Sequence, residues 1–251
     1  MLMYGSTAFM ILVTEKPLSD PRVWSAPFLF PGSFALMAGM ATSGTLTRWF
    51  RDTFARELIA LESEEGESAF RVLASEASRV SAGSEELVIL PYFSGERTPI
   101  NDTRARGVFF GLTLNHTRAH LYRAVLEAVG YGIRHHLDVF AEIGAEVQSI
   151  RAVGGGVKNP LWLQIVSDIC QMPQEISKVS VGACYGDAFL AGLGVGAVGN
   201  PEDIDKWVQP DDLILPEAEH SGLYGRQYRK YRELYARTRS LMHEAGEPGQ
   251  T

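Results

Sequence analysis

Apolar residues run from Leu2 to Val13 with one interruption, Gly5-Ser6-Thr7, and the turn-rich segment Glu15-Lys16-Pro17-Leu18-Ser19-Asp20-Pro21 follows. This pattern predicts a strand and then a loop. Two shorter apolar runs, Val23–Phe30 and Ser33–Met40, flank Pro31-Gly32 and predict a hairpin, so three antiparallel strands are expected to open the chain. From Gly44 the period changes. Leu46, Trp49, Phe50 and Phe54 recur at helical spacing, with Thr42 or Ser43 placed as the cap. The acidic segment Glu62–Glu67 and the small polar segment Ser81–Ser84 read as solvated loops around one more helix, and Leu87–Tyr92 reads as a strand.

A long helix is expected over Thr117–Ile143, apolar on two faces and therefore covered on two sides. A strand at Ser149–Val153 leads into Gly154-Gly155-Gly156, and Pro160 starts a helix carrying Leu161, Ile165 and Ile169. A strand at Glu175–Val179, a Gly/Ala-rich helix from Ala183 to Ala197 and a basic-aromatic helix Leu223–His243 complete the pattern, with Glu244–Thr251 as a frayed tail. Strands followed by alternating helices and strands describe a single α/β layered unit.

Composition narrows the function classes. The 251 residues carry 30 acidic against 23 basic side chains, a formal charge of −7, so the chain as a whole is no scaffold for nucleic acid or an acidic membrane. The uncharged stretch Val23–Thr47 is long enough to raise a membrane span, but Pro27, Pro31, Gly32 and Ser33 assign it to strands and a turn. Two cysteines, Cys170 and Cys184, suit a reducing compartment, and with no signal sequence evident a cytoplasmic address is expected.

The glycine run Gly154-Gly155-Gly156-Val157-Lys158-Asn159 falls between a strand and a helix, where a ligand can approach bare backbone beside free N–H groups. Steric demand alone also produces such runs, and Asn159 before Pro160 suits a helix cap as well as a ligand contact; the sequence leaves both readings open. Gly194-Val195-Gly196-Ala197-Val198-Gly199 matches a dinucleotide fingerprint but ends a helix instead of following a strand, so close helix packing explains it better. His135-His136 point to different sides of a helix, and no metal site is expected. Ser6 lacks the glycine spacing of a nucleophile elbow, and Tyr228–Arg232 reads as a solvated helix face.

Leu90-Pro91-Tyr92-Phe93-Ser94-Gly95-Glu96-Arg97-Thr98-Pro99, followed by Asn101-Asp102 and Ala105-Arg106-Gly107, resembles the FGGY carbohydrate kinases, in particular their xylulokinase-like branch. Gly107-Val108-Phe109-Phe110-Gly111-Leu112, seven residues, and His120-Leu121-Tyr122-Arg123-Ala124-Val125-Leu126-Glu127 fit that family's second signature at every constrained position. The glycine run, Ser167-Asp168 and Gly186-Asp187-Ala188-Phe189-Leu190-Ala191-Gly192 continue the match.

The resemblance implies an α/β fold, a ribonuclease-H-like domain of the actin/hexokinase superfold, with residues 1–243 as the C-terminal, nucleotide-binding domain and 244–251 as the tail. It implies phosphorylation of a pentulose-like sugar by ATP with Mg2+, in a cleft shared with an N-terminal domain. Ser6 then supplies a phosphate-contacting hydroxyl, and Gly44 and Arg48 lie at phosphate positions, Arg48 where glycerol kinases have glutamine. Gly155 and Asn159 lie at the adenine, and Phe9 lies near the sugar. The family's catalytic aspartate and metal ligands belong to the N-terminal half, so no catalytic residue is expected here. Pairing with such a half, or a homodimer, is expected instead, with apolar surface left open around Phe9 and Phe93. The alternative is a non-catalytic remnant that binds nucleotide or a partner chain.

Overall fold

The computed structural model describes residues 1–178 and 182–244. Its chain opens with β1 (Leu2–Tyr4), β2 (Ala8–Thr14), β3 (Trp24–Pro27) and β4 (Phe34–Met40). The first apolar run is therefore two strands, not one, giving four antiparallel strands where three were expected. The chain reverses at Gly5-Ser6-Thr7, where Gly5 N–H donates to the Thr7 carbonyl at 3.1 Å and Tyr4 comes to face Ala8.

Three helices follow: α1 (Gly44–Phe54), α2 (Arg56–Glu65) and α3 (Ala69–Ala77). The expected acidic loop is the last turn of α2, which Gly66 ends at φ 77°, so this region holds two more helices instead of one. Neither expected side-chain cap of α1 forms. Thr42 Oγ1 donates to the Pro91 carbonyl instead, and Ser43 Oγ is buried without a partner among the described residues. A two-stranded hairpin, β5 (Val88–Leu90) with β6 (Val108–Phe110), precedes the long α4 (Arg118–Glu142).

The chain continues through β7 (Ile150–Val153), α5 (Pro160–Cys170), β8 (Gln174–Ser177), α6 (Ala183–Gly194), α7 (Ile204–Trp207), β9 (Pro210–Ile214) and α8 (Ser221–Glu244). The expected strand end at Val179 and the tail over 245–251 lie outside the described residues. The principal sheet has the order β3-β4-β2-β1-β7-β8-β9, with β1, β7 and β8 parallel and the remaining pairs antiparallel. Antiparallel strands followed by alternating helices and strands were expected, and they lie on the two sides of β1: β2, β4 and β3 on one, β7, β8 and the antiparallel β9 on the other. No helix among the described residues is long and apolar enough to cross a membrane.

Helix α4 is covered on both sides, as its pattern predicted. A side chain at Gly132 would strike Met40 of β4, and one at Gly130 would meet Ile169 of α5 at 2.6 Å, so both glycines permit close packing. On the far side a buried polar hub holds the layers together. The Glu127 carboxylate accepts hydrogen bonds from Gly83 N–H (2.8 Å), Ser84 Oγ (2.8 Å), Arg123 Nε (3.0 Å) and Tyr224 OH of α8 (3.1 Å). Those bonds pin a turn in which Ser84, Glu85 and Glu86 all take left-handed backbone angles (φ 48°, 51° and 72°), a conformation that costs a non-glycine residue about 1–3 kcal/mol.

Removing one member of a buried ion pair strands the other charge, at a cost of about 3–5 kcal/mol. Glu127→Ala is accordingly expected to lower the unfolding free energy by about that amount in urea titration. A loss below about 1 kcal/mol, no more than an ordinary hydrogen bond, would show that the hub does not hold the fold.

Candidate functional site

Strands β1 and β7 run parallel and end side by side, the place where α/β sheets expose loops to a ligand. At the end of β1, the Gly5-Ser6-Thr7 tip receives the start of α1. The Ser6 carbonyl accepts Ser43 N–H (3.1 Å), Thr45 N–H (3.0 Å) and Thr45 Oγ1 (2.9 Å), and the Gly5 carbonyl accepts Gly44 N–H (3.0 Å). Gly44 is a glycine because α1 sits directly on the tip: a Cβ there would lie 2.6 Å from the Gly5 carbonyl oxygen. Its amide is engaged, so Gly44 contributes closeness of approach and not a donor.

The Ser6 side chain is exposed and its hydroxyl has no hydrogen-bond partner among the described residues. Arg48 lies one turn beyond Gly44 on α1, exposed and likewise without an ion pair or hydrogen bond among the described residues. A free hydroxyl, an unpaired guanidinium and a helix start therefore share one end of the sheet. This set suits an anion. Mg2+ fits it poorly, because a divalent cation prefers carboxylate oxygens and none of Ser6, Gly44, Thr45 and Arg48 offers one.

At the end of β7 the three glycines differ. Gly154 has φ 96°, and a Cβ there would meet the Tyr4 carbonyl oxygen at 2.7 Å; one at Gly156 would meet Tyr4 Cβ at 2.6 Å and the Trp162 ring at 3.0 Å. Both are glycine because β7 turns directly over β1. Gly155 is exposed and has no positive φ, and a Cβ there would have nothing within 4 Å of it. After it a short 3-10 turn, Gly155–Lys158, leads to Asn159, whose Oδ1 caps α5 by accepting Trp162 N–H at 3.1 Å. The cap reading of Asn159 is thus realised. Its Nδ2 has no partner among the described residues, which leaves a donor beside Gly155.

Phe9 lies three residues beyond Ser6 on β2, half-buried, stacked on Trp24 with ring centroids 6.3 Å apart. Phe93, also half-buried, packs on Trp49 (4.7 Å) and Phe109 (6.2 Å), over Gly107, where a Cβ would strike its ring. Between α1 and Phe93 lies a cleft of about 310 Å³ lined by Thr42, Thr45, Leu46, Trp49, Phe93 and Ser94. Sequence reading missed it, although Thr45 and Trp49 are spaced to share a helix face. Asp168, Glu217 and His220 also converge, but the Asp168 carboxylate already accepts Gln164 Nε2 (2.8 Å) and Glu217 N–H (2.8 Å) and meets His220 Nδ1 (2.9 Å), tying α5 to the approach of α8.

Comparison with known proteins agrees with this geometry. Residues 1–195 match the FGGY family of carbohydrate kinases, C-terminal domain. The chain is 32% identical over 245 residues to a xylulose kinase of Escherichia coli, covering 96% of this chain and 48% of that one. It is 35% identical over 222 residues to a glycerol kinase of Bacillus cytotoxicus, covering 86% and 42% respectively. A crystal structure of xylulose kinase from Rhodospirillum rubrum superimposes with a TM-score of 0.84 at 35% identity, over 96% of this chain and 47% of that one. The chain therefore spans about half the length of the relatives it matches. The chain is thus a member of the FGGY family of carbohydrate kinases, carrying the family's C-terminal domain.

Proposed function

We propose that this chain is the nucleotide-binding half of an ATP-dependent sugar kinase, acting on a pentulose or a related polyol. Gly155 carries the reading. Gly154 and Gly156 are demanded by the packing of β7 on β1, whereas nothing in the fold demands a glycine at 155. A flat base lying against the turn does, because a side chain there would occupy its place.

In this reading adenine rests on Gly155 with Asn159 Nδ2 at its edge. The polyphosphate runs towards the tip of the β1–β2 hairpin, where the Ser6 hydroxyl and Arg48 meet its charge, and Gly44 lets α1 close on that tip. Phe9 borders the sugar. Phosphoryl transfer depends on positioning and on a group that accepts the proton of the attacking hydroxyl. The residues of this site supply positioning only. Mg2+ on the phosphates would neutralise developing charge, and its ligands, like the proton acceptor, are assigned to an N-terminal half. Relatives named for xylulose and for glycerol leave the acceptor a polyhydroxylated carbon chain of unspecified length.

The domain on this reading extends past the matched region to the end of α8, whose Tyr224, Tyr228 and Tyr231 pack on Tyr131. Helix α6 supports pairing with an N-terminal half. It carries one charged residue, Asp187, yet only Phe189 of its twelve residues is buried. A helix so apolar ordinarily lies inside a protein. A cytoplasmic address follows from the need for ATP.

Gly155→Val is expected to weaken ATP and ADP binding at least tenfold in calorimetric titration while leaving Tm unchanged, since the fold has room for the side chain. Unchanged affinity would remove the adenine site from this turn. Asn159→Ala should lower stability by about 0.5–2 kcal/mol through loss of the cap. Asn159→Asp keeps the cap and loses the Nδ2 donor, so weaker nucleotide binding in a fully stable Asn159→Asp protein identifies the ligand contact.

The chain alone, given ATP, Mg2+ and a panel of pentuloses, is expected to release no ADP above background. Absence of the proton acceptor costs roughly 10²–10⁴ in rate before any loss of sugar contacts. Turnover by the chain alone would overturn the division of roles.

A further inference from the structure

Strand β3 pairs with β4 only as far as Met37, so the outer edge of β4 beyond that point has no strand partner among the described residues. Two side chains from the Gly95–Pro99 loop take the place of one. Thr98 Oγ1 accepts Gly39 N–H at 2.7 Å and donates to the Gly39 carbonyl at 3.1 Å, and Glu96 Oε1 accepts Ala41 N–H at 2.6 Å. The same Glu96 oxygen accepts Arg97 N–H at 2.8 Å, so one atom joins the loop to the strand end. The loop is itself closed by backbone bonds in both directions between Glu96 and Asp102 (2.8 and 3.0 Å).

Glu96 is 5% exposed and has no cationic partner among the described residues; its hydrogen bonds come from backbone amides. Burial pushes its carboxyl up to about 7. A glutamine would accept the same bonds without the desolvation of a charge. What a carboxylate adds is a shorter, stronger hold on the amides it faces. The residues it holds matter: Ala41 is followed by Thr42, Ser43 and Gly44, the turn that delivers α1 to the Gly5–Ser6 tip.

We infer that Glu96 is a positioning residue for the phosphate end of the nucleotide site: by anchoring the Ala41 amide it fixes the β4–α1 turn that seats Gly44, and with it the start of the helix carrying Arg48, on the Gly5–Ser6 tip. The inference rests on the nucleotide reading above. It assigns to Glu96 an effect on the phosphates and none on the adenine, because Gly155 and Asn159 hang from β7 and α5, to which Glu96 makes no hydrogen bond among the described residues.

The test is calorimetric titration of the native chain, Glu96→Ala and Glu96→Gln with ATP and with adenosine. Glu96→Ala is expected to lose at least tenfold in ATP affinity and to hold adenosine within twofold. Glu96→Gln keeps an acceptor oxygen and should stay within about threefold of native for ATP. If Glu96→Ala does not fold, Glu96→Asp, one methylene too short to reach Ala41, gives the same contrast. An equal fall for both ligands would reduce Glu96 to a general support of the fold and overturn the inference, as would undiminished ATP binding. In either case native binding leaves the nucleotide site standing. Failure of the native chain to bind either ligand overturns the nucleotide reading and this inference together.

Discussion

Everything at the ligand-facing end of the sheet depends on how closely the backbone of Tyr4 and Gly5 is approached from two sides. Helix α1 comes down on the Gly5 carbonyl through Gly44, and the end of β7 comes over the Tyr4 carbonyl through Gly154. Neither approach leaves room for a Cβ. Tyr4 itself is held by its hydroxyl on Gln174 of β8 (2.6 Å) and by the Trp162 ring of α5 at 5.3 Å. Central strand, hairpin tip, helix start and glycine turn are thus one rigid junction, and the two ends of the proposed nucleotide site keep their separation because both are measured from the same two residues.

The stretch from Gly107 to Glu127 carries the most exacting part of the family resemblance, yet four of its residues have structural tasks. Gly107 lies under Phe93, and Gly111 takes φ 92° against the Glu86 carbonyl. His120 closes a capping box with Thr117 at the start of α4, and Glu127 is the hub that holds the left-handed Ser84–Glu86 turn. The residues proposed to meet ligand are scattered singles: one serine, one arginine, one asparagine, one phenylalanine, one glycine of three. Packing needs many mutually dependent side chains at fixed spacing, whereas a polyphosphate needs only a few donors on a rigid frame.

That difference also governs how much was legible in the sequence. The long helix, the glycine turn and its capped successor were plain, because helical periodicity and Pro160 signal them locally. The reversal at Gly5-Ser6-Thr7 was hidden inside one apolar run, since both arms face the same core and no charged break separates them. The helical character of Glu62–Glu65 was masked by charge, and β9, with Pro210, Asp211 and Asp212, lacks the alternation of a strand because it is an edge. The α1 cap failed for a tertiary reason: Thr45 N–H, which Ser43 Oγ would have satisfied, goes to the Ser6 carbonyl of the β1–β2 hairpin tip, far earlier in the chain, and Leu46 N–H goes to the Ser43 carbonyl. At the site, no pattern distinguishes Gly155 from its neighbours. Only the structure separates the two glycines that packing explains from the one it does not.

The chemistry on this surface is one-sided in the same sense. Around Ser6 it offers a hydroxyl, a guanidinium and a crowded helix start, all suited to negative charge and none able to take a proton from a sugar hydroxyl at neutral pH. The four buried carboxylates of the described residues are engaged elsewhere: Glu96 with the Ala41 amide, Asp102 with Tyr235 and His243, Glu127 with Arg123 and the Ser84 turn, Asp168 with His220 and the Glu217 amide. Transfer of a phosphoryl group needs both kinds of surface to face each other across a dry gap. On the proposed kinase reading a second body brings the base, and α6, apolar along most of its length and resting on Trp207 through Tyr185 and Phe189 alone among the aromatic contacts of the described residues, presents a surface that such a body would cover.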